Sequence, residues 1–600
     1  MSAAAFAPLP HFLSAPAGSE LLGAEIVVRA LVDQGMTHIF GYPGGAILPV
    51  YDAIFQQEKL HHILVRHEQG AGHAAEGYAR STGKVGCVLV TSGPGMTNTV
   101  TALTDAMMDS IPLIVICGQV PTHLIGTDAF QEADTTGITR SCTKHNVLVK
   151  DANKLAETIH QCFHIARSGK PGPVLIDIPK DVQFSKGVYV APQDVKKYKT
   201  YPHAVAASDP KIAAAVDLMQ NAKRPIFYTG GGIINAGPAA CETLCELVRA
   251  TGFPITSTLM GLGAFPANDP LFLGMLGMHG TYEANLAMYH SDVMICIGAR
   301  FDDRITGKIS EFSPNAKKIH VDIDAASINK NVPVDIGIVA DAGEAARAML
   351  TEWQQRDAKA DSNALTKWLQ KIQEWRAKDS LAYENSTTTI KPQYAIARLA
   401  HFAAPKNPII TTEVGQHQMW AAQHFPFYAP NHWLTSGGLG TMGYGLPAAI
   451  GAQVAHPDAL VIDIAGEASI QMNIQELATA IQYNLPVKIF IINNQWMGMV
   501  RQWQQLIHGE RYSHSYSEAL PDFVKLAEAY GALGLRAMKP DELDDVIMRM
   551  LAHDGPVMAD IRVDQQENCY PMIPSGAPHY AMLLKDGDIV PVSPEGLMMV

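Results

Sequence analysis

The sequence has few cysteines, no excess of basic residues and no long apolar run. Its 600 residues include eight cysteines, which are scattered and lie mostly in apolar segments without the spacing of a metal site or a disulfide framework. We therefore predict a reducing compartment, the cytoplasm. A formal net charge of −13 and the lack of a basic stripe argue against nucleic-acid binding. No apolar run approaches the ~20 residues of a membrane helix, so we expect no membrane partner.

The first twenty residues also lack the features of a targeting segment. They contain no lysine or arginine, and we predict that residues 1–20 form a disordered or loosely docked leader. Alternating helix and strand patterns predict an α/β fold with three doubly wound, mostly parallel sheets. The predicted boundaries are 21–185 for the first domain, 205–350 for the central domain, 351–384 for a polar helical linker, 385–565 for the third domain and 566–600 for a tail.

The most informative stretch is Val461–Asn494. It predicts a strand, a tight turn, a helix at Asn473–Tyr483 and a second strand, which together form one βαβ unit. Ligands of such sheets bind outside the carboxyl ends of the strands, where Glu467 and Asn494 fall. A carboxylate, an amide oxygen and a nearby backbone carbonyl suit Mg²⁺ with a bound diphosphate. The alternative is an ordinary βαβ unit with a polar turn.

A second candidate residue lies in the first domain. Glu68 follows a strand that should be buried on both faces, so its carboxyl group starts in apolar surroundings and could exchange a proton with a heteroaromatic nitrogen. The alternative is a carboxylate at the start of a helix, stabilised by the helix dipole. The turn Ser92–Gly95 is compatible with a phosphate.

The two features together resemble thiamin diphosphate enzymes. The motif of that family begins Gly-Asp-Gly and ends Asn-Asn, and this chain departs from it with Glu467 and Ala468. From about residue 20 to 580 the chain resembles the catalytic large subunits of the acetolactate synthase family. The strings that carry the resemblance include Gly41–Gly45, Arg66–Glu68, Thr91–Gly95, Gly118–Pro121, Gly126–Gln131, Thr143–Asn146, Leu276–Gly280, Arg300–Arg304, Val414–Gln418, Gly498–Trp503 and Pro571–Gly576.

The resemblance implies three cofactors, namely thiamin diphosphate, Mg²⁺ and FAD. It implies that Glu68 contacts the aminopyrimidine ring and acts with Gln131, Lys144, Gly45 and Phe130. It assigns Mg²⁺ to Glu467, Asn494 and the Trp496 carbonyl. Around thiamin diphosphate it places Gly44, Pro94, Asn98, Val414, Gly415, Gln416, His417, Gly440, Met442, Gly466, Ala468, Ser469, Met499 and Val500.

For the central domain, Arg300–Arg304 favours FAD, because arginines suit a diphosphate and FAD-free catabolic relatives lack this string. The alternative is a structural domain with surface ion pairs. The implied FAD residues are Gly230, Gly231, Gly232, Thr258, Leu259, Met260, Gly277, Met278, His279, Gly298, Arg300, Asp302, Arg304, Asp322, Ile323 and Asp341. The implied substrate and inhibitor channel contains Ala46, Pro121, Ala129, Met278, Asp303, Arg304, Met499, Val500, Trp503 and Ser575.

The implied reaction is acetolactate synthesis, an early step toward valine, leucine and isoleucine. One pyruvate is decarboxylated and its two-carbon unit is joined to a second pyruvate, giving 2-acetolactate, or to 2-ketobutyrate, giving 2-aceto-2-hydroxybutyrate. The resemblance also implies a homodimer or homotetramer with the cofactor at a dimer interface, and a small regulatory subunit. Two alternatives remain open: another thiamin and FAD enzyme such as a pyruvate oxidase, and a homologue impaired in catalysis, which Glu467 alone supports.

Overall fold

The computed structural model describes residues 12–194 and 205–588. These residues form three six-stranded sheets, in which every strand pairing is parallel, and one two-stranded antiparallel ribbon. The predicted α/β class with three parallel-sheet domains is therefore confirmed. Residues 1–11 of the predicted leader and 589–600 of the predicted tail lie outside the described residues.

The first sheet has the strand order β3-β2-β4-β5-β7-β6. Strands β4, β5 and β7 are buried along their whole length, as their runs of branched apolar residues predict. The strands are β1 Glu20–Leu22, β2 His38–Gly41, β3 His61–Leu64, β4 Gly86–Val90, β5 Leu113–Gln119, β6 His145–Leu148, β7 Pro173–Pro179 and β8 Lys186–Val188. The helices are α1 Gly23–Asp33, α2 Leu48–Phe55, α3 Glu68–Thr82, α4 Pro94–Thr97, α5 Val100–Asp109, α6 Thr135–Thr139, α7 Leu155–Arg167 and α8 Lys180–Phe184.

Two parts of this region differ from the prediction. The edge strand β6 was not predicted, because its sequence His145–Leu148 is short and polar at its start. The described end of the leader is packed rather than loose. Phe12 is buried, the Arg29 guanidinium donates to the carbonyl oxygens of Phe12 and Ala15, and β1 pairs with β8.

The central sheet has the order β11-β10-β9-β12-β13-β14. The strands are β9 Pro225–Thr229, β10 Ile255–Ser257, β11 Phe272–Met275, β12 Val293–Ile297, β13 Lys317–Asp322 and β14 Ile336–Val339. The helices are α9 Pro210–Gln220, α10 Gly231–Asn235, α11 Pro238–Thr251, α12 Tyr282–His290, α13 Asp303–Thr306, α14 Ala342–Gln355 and α15 Ser362–Arg376.

The stretch predicted as a linker, 351–384, is largely packed against this sheet. The end of α14 and the whole of α15 fall in it, and Trp353, Trp368 and Ile372 are buried in the cores of the central domain. The Trp368 indole N–H donates to the Pro225 carbonyl oxygen at 3.0 Å. The stretch was predicted as a linker because most of its residues are charged or polar, although these few apolar residues are enough to pack it.

The third sheet has the order β16-β15-β17-β18-β20-β19. The strands are β15 Ile409–Thr412, β16 Trp433–Leu434, β17 Val461–Gly466, β18 Lys488–Asn493, β19 Leu533–Ala537 and β20 Val557–Arg562. The helices are α16 Pro392–Ala403, α17 Gln416–His424, α18 Gly445–Ala455, α19 Glu467–Ile470, α20 Leu477–Gln482, α21 Gly498–Leu506, α22 Phe523–Tyr530 and α23 Pro540–Ala552.

The predicted helix Asn473–Tyr483 is wrong in its first turn. A short helix, α19, already begins at Glu467, and a 3-10 turn at Ile474–Glu476 precedes α20. The Asn473 amide donates to the Gly443 carbonyl oxygen at 2.7 Å, and this contact holds the chain out of helical geometry at that point.

The chain divides into two compact units that cut across the predicted domains. The first unit contains the described residues up to 194 together with 438–457 and 473–485, and the second contains the remaining described residues. Within the first unit, α18 packs closely on α3. A Cβ atom at Gly77 would overlap the Ala448 carbonyl oxygen, and one at Gly451 would overlap the Ala74 carbonyl oxygen. These two glycines permit the close approach.

All eight cysteines are free, and seven of them are buried. Among the described residues, no helix has both the length and the apolar character needed to span a membrane.

Candidate active site

Each parallel sheet has one switch point, where successive strands run to opposite sides and a crevice opens at their carboxyl ends. The strand orders place it between β2 and β4, between β9 and β12, and between β15 and β17. The residues that follow these six strands include about half of the predicted site residues. Two of the sites at these switch points are named after Glu68 and Glu467, and the third is the predicted flavin site.

The Glu68 site lies at the first switch point. Glu68 is the first residue of α3 rather than part of a preceding loop, and the His67 side chain caps this helix by accepting from the Gln69 backbone N–H. The Asn98 amide donates to Glu68 Oε2 at 2.9 Å. Glu68 therefore stands at the start of a helix, as the alternative interpretation also has it, and its carboxylate is held by a side chain predicted to bind cofactor.

Glycines bring the surrounding turns close to Thr91. Cβ atoms at Gly44 and Gly95 would lie 2.6 and 2.7 Å from the Thr91 side chain, and the one at Gly95 would lie 3.7 Å from Glu68 Oε1. Pro94 begins α4, the short helix that leads to Asn98. The turns after β2 and β4 therefore form one small-residue wall beside Glu68.

The loop that carries Phe130 and Gln131 meets the same wall. A Cβ atom at Gly93 would lie 2.7 Å from the Gln131 carbonyl oxygen, and Gln131 has a positive φ of 60°. The Phe130 side chain is 88% exposed, so it is not core packing. Gly45, Ala46, Pro121 and Ala129 also lie in the loops at this end of the sheet.

Lys144 is placed elsewhere. Its ammonium group donates to the carbonyl oxygens of Ile165 and Ser168 at the end of α7, and burial lowers its pKa to about 8. In this structure Lys144 caps a helix and contacts none of the other predicted catalytic residues.

Glu476 was missed by the sequence analysis. Its carboxylate accepts from the backbone N–H groups of Arg66 and His67, both at 2.9 Å, and from the Thr479 hydroxyl at 2.7 Å. A Cβ atom at Gly70 would lie 2.5 Å from Glu476 Oε1. Glu476 thus fixes the backbone immediately before Glu68. No local pattern in the sequence marks this residue.

The loop of Gly440 and Met442 also belongs to the first unit. Gly440 and Gly443 have positive φ angles of 72° and 88°. Met442 is half-buried and is not a member of the two apolar clusters of this unit.

The Glu467 site lies at the third switch point, in the second unit. Strand β17 pairs with β18 in parallel register, Gly466 opposite Ile492, so Glu467 and Asn494 emerge side by side. Glu467 is 1% exposed, and burial raises the pKa of its carboxyl group to about 8, opposed by the backbone N–H groups of Glu467 and Asn494. The rings of Tyr512 and Tyr516 pack on Trp496 and fix the turn after Asn494.

His417 completes the Glu467 site. Cβ atoms at Gly466 and Gly415 would lie 2.6 and 2.8 Å from its Cε1 atom, so the imidazole is enclosed between these glycines. Burial lowers the pKa of His417 to about 3. Its Nε2 atom and Glu467 Oε1 are buried without a hydrogen-bond partner among the described residues. Two such orphaned atoms in a glycine-lined crevice fit a bound metal and anion.

Other residues predicted for this site have internal partners. The Ser469 hydroxyl donates to Glu413 Oε2 at 2.8 Å, and the Asn494 amide donates to Gln416 Oε1 at 3.3 Å. Val414 and Ala468 are half-buried neighbours of these residues.

Helix α21 follows Asn494 and carries the predicted pocket residues. Met499 and Trp503 are half-buried, and Val500 is 45% exposed. None of them belongs to the apolar cores of the described residues, so the core-packing alternative is not supported. Gln502 on the same helix had no assigned role, yet it contacts Gln416 at 2.8 Å.

The predicted flavin site lies at the second switch point. A Cβ atom at Gly230 would lie 2.6 Å from the Gly298 carbonyl oxygen, so the turns after β9 and β12 meet closely. The Arg300 guanidinium donates to Asp302 Oδ2 at 2.6 Å. The residues that follow the other strands at this edge are Thr258, Leu259 and Met260 after β10, Gly277 after β11, Ile323 after β13 and Asp341 after β14.

Two of the predicted flavin residues also have structural contacts. The Asp341 carboxylate caps α14 by accepting from the backbone N–H groups of Gly343 and Glu344. The Asp322 carboxylate accepts from the Asp324 backbone N–H at 2.8 Å. The fold supports a nucleotide at this edge mainly through the close glycine turns and the arginines.

The tail packs on the central domain at the predicted channel residues. The Arg304 guanidinium donates to the Ser575 hydroxyl at 3.3 Å, and the Ile573 backbone N–H donates to the Met278 carbonyl oxygen at 2.8 Å. His279 Nδ1 lies 3.0 Å from the Pro571 carbonyl oxygen, and burial lowers its pKa to about 4. Asp303 forms a 3.6 Å ion pair with Arg304.

Comparison with known proteins identifies relatives for all three sheets. "Thiamine pyrophosphate enzyme, N-terminal TPP binding domain" matches residues 22–138, the corresponding central domain matches 212–349, and the C-terminal TPP binding domain matches 413–561. The acetolactate synthase large subunit of Haemophilus influenzae is 47% identical over 569 residues, 94% of this chain and 98% of the relative.

Two further relatives agree along the same length. The acetolactate synthase isozyme 3 large subunit of Escherichia coli is 47% identical over 557 residues, which are 92% of this chain and 96% of the relative. The acetolactate synthase large subunit of Porphyra purpurea is 46% identical over 572 residues, 94% of this chain and 96% of the relative.

Proposed function

Because the chain belongs to the thiamine pyrophosphate enzymes and, among them, to the acetolactate synthase large subunits, we propose that it converts two molecules of pyruvate into 2-acetolactate and CO₂. The observation that carries this proposal is the 47% identity with acetolactate synthases along 94% of the chain, which includes both the Glu68 and the Glu467 sites. With 2-ketobutyrate as the second substrate, the product is 2-aceto-2-hydroxybutyrate.

Thiamin diphosphate supplies an electron sink for decarboxylation when it is bound. Glu68 is proposed to hold and move a proton at Oε1, because Oε2 already accepts from Asn98 and is thereby oriented. Gln131, Gly45 and Phe130 lie in loops at the same sheet edge and are proposed to line the reacting groups. Lys144 is kept as a catalytic candidate on resemblance alone.

We assign Mg²⁺ to Glu467, Asn494 and the Trp496 carbonyl, with Gln416 and His417 toward the diphosphate. The unpartnered Glu467 Oε1 and His417 Nε2 support this assignment, since both are buried and both suit a charged ligand. Oxygen ligands are those that Mg²⁺ prefers.

We assign FAD to the edge of the central sheet. The close turns at Gly230 and Gly298 and the Arg300–Arg304 string support this assignment. A pyruvate oxidase, in which the flavin accepts electrons, is the second candidate that these features allow. Trp503 and Gln131 favour the synthase, because both match the acetolactate synthase strings.

We also propose a homodimer or homotetramer. Phe55, Phe130 and Phe184 are 90%, 88% and 61% exposed, and we propose that these large apolar side chains lie in the subunit interface. The relatives are named large subunits, which supports a small regulatory partner for this chain. Eight free cysteines support a reducing compartment such as the cytoplasm.

One assay tests these proposals together. The purified chain receives thiamin diphosphate, Mg²⁺, FAD and pyruvate, and acetolactate and acetate are quantified. Acetolactate that still forms with a non-reducible flavin analogue supports the synthase. Acetate that requires a reducible flavin would indicate the oxidase, and no turnover with any combination would support the impaired homologue.

A further inference from the structure

We propose that Gln502 is a positioning residue that orients Gln416 and Asn494 in the Glu467 site and links this site to the C-terminal strap, residues 566–572. The inference rests on the proposed binding of thiamin diphosphate and Mg²⁺ and assigns a role to a side chain that contacts neither directly.

Gln502 is held by four hydrogen bonds. It lies on α21 and is fully buried. Its Oε1 atom accepts from Gln416 Nε2 and from the Cys569 backbone N–H, both at 2.8 Å. Its Nε2 atom donates to the Cys569 carbonyl oxygen at 3.2 Å and to the Met572 sulfur at 3.1 Å. Because oxygen and nitrogen both have partners, the amide has a single orientation.

The orientation of Gln502 determines that of Gln416. Gln416 Nε2 donates to Gln502 Oε1 and, at 3.2 Å, to the Glu567 carbonyl oxygen, so Gln416 Oε1 must face the other way. There it accepts from Asn494 Nδ2 at 3.3 Å. Asn494 Oδ1 therefore faces away from Gln416, where it accepts from the Trp496 backbone N–H at 3.1 Å and keeps a second lone pair for a cation. A Cβ atom at residue 498 would overlap Gln416 Oε1, so only Gly498 allows this arrangement.

A neighbouring residue anchors the strap without reaching Gln416. The buried Arg501 guanidinium donates through Nη2 to the carbonyl oxygens of Gln566 and Glu567 at 3.1 and 3.0 Å and to Asn568 Oδ1 at 2.6 Å. Gln505 contacts Arg501 and Asn568 at 2.9 and 3.0 Å. Gln502 alone, among the described residues of α21, is bonded to both the strap and Gln416.

Loss of Gln502 should weaken cofactor binding by an amount typical of one or two neutral hydrogen bonds. Gln502→Met keeps the length of the side chain but removes the acceptor, so the Gln416 amide can rotate. We expect the dissociation constant of thiamin diphosphate at saturating Mg²⁺ to rise about five- to tenfold. Gln505→Met, the matched control on the same helix and strap, should change it less than about twofold.

A double-mutant cycle separates positioning from general destabilisation. Binding to the full-length apoprotein is measured by titration calorimetry for wild type, Gln416→Met, Gln502→Met and the double variant. If Gln502 acts through Gln416, the double variant binds no more weakly than Gln416→Met alone. Additive losses, or wild-type affinity in Gln502→Met, would overturn the proposal.

Hydrogen exchange gives a readout independent of activity. Cofactor binding should slow amide exchange in the strap of the wild-type protein and should not do so in Gln502→Met, because linkage is reciprocal. Equal slowing in both would overturn the proposal. If Gln502→Met does not fold, Gln502→Asn is used, whose amide is neutral but one methylene too short to reach Gln416. It should also raise the dissociation constant several-fold, and wild-type affinity in this variant would overturn the proposal.

Binding measurements distinguish a failure of the proposed function from a failure of the role proposed for Gln502. If the wild-type protein does not bind thiamin diphosphate, the proposed function is refuted and this inference with it. If the wild-type protein binds and Gln502→Met binds equally well, only this inference is overturned.

Discussion

Replacing Glu476 with glutamine should change how the stability of the protein depends on pH. The Glu476 carboxylate is 1% exposed, and burial raises its pKa from 4.5 to about 7, opposed by hydrogen bonds from Thr479, Arg66 and His67. The folded-state pKa therefore lies above the unfolded value. The contribution of this group is fully present below about pH 4.5 and is lost as the pH rises through about 7.

The size of the effect follows from the two pKa values. A difference of about 2.5 between them corresponds to roughly 3 kcal/mol at 1.36 kcal/mol per pKa unit. Glutamine cannot ionise and keeps one acceptor oxygen for the backbone of Arg66 and His67. The variant should therefore gain roughly 3 kcal/mol relative to wild type between pH 4.5 and 8, on the order of 5–10 °C in the midpoint of the unit that contains it.

Scanning calorimetry of both proteins at pH 5, 6, 7 and 8 measures this gain. Glu528→Gln, at an exposed position on α22, is the control and should track wild type at every pH. A midpoint difference between wild type and Glu476→Gln that stays constant from pH 5 to 8 would refute the reasoning. The variant should still bind thiamin diphosphate. Proton exchange at the reactive carbon of the bound cofactor should be slower, because the backbone N–H groups before Glu68 lose one of the carboxylate oxygens that accept from them.

Three other substitutions test the assigned residues. Glu68→Gln should slow hydrogen–deuterium exchange at the reactive carbon of bound thiamin diphosphate by about 10²-fold or more, measured by quenched-flow NMR, and near-normal exchange would remove Glu68 from the mechanism. Trp503→Leu should lower the preference for 2-ketobutyrate over pyruvate several-fold, since packing on one methyl group is worth roughly 1–3 kcal/mol; an unchanged product ratio in a competition assay would contradict this. Glu467→Asp should tighten activation by Mg²⁺ and cofactor with little effect at saturation, because Mg²⁺ tolerates misplaced ligands poorly, and equal or weaker activation would mean that Glu467 is an adapted ligand.

The sequence alone determined the features that depend on local pattern. Strands such as β5, β9 and β15 coincide with short, largely apolar runs of the sequence and are buried along their whole length. Glu467 and Asn494 could be placed together from sequence, because parallel strands bring their carboxyl ends to one edge. The glycine-containing turns after β2 and β4 could be placed near Glu68 for the same reason, because they also follow parallel strands of one sheet.

Only the tertiary structure decided which distant side chains support these residues. Glu476 lies 410 positions from Arg66, and Gln502 lies 67 positions from Cys569, and neither contact has a local pattern that predicts it. Lys144 is part of the string Thr143–Asn146 that resembles the family, yet its ammonium group donates to the Ser168 carbonyl oxygen at the end of α7. Segment 438–457 packs with the first unit because Gly77 and Gly451 let the backbones of α3 and α18 meet, and segment 473–485 is joined to it by the hydrogen bonds of Glu476. A buried polar group needs a hydrogen-bond partner. Which residue provides it depends on the tertiary packing and not on the periodicity of the sequence.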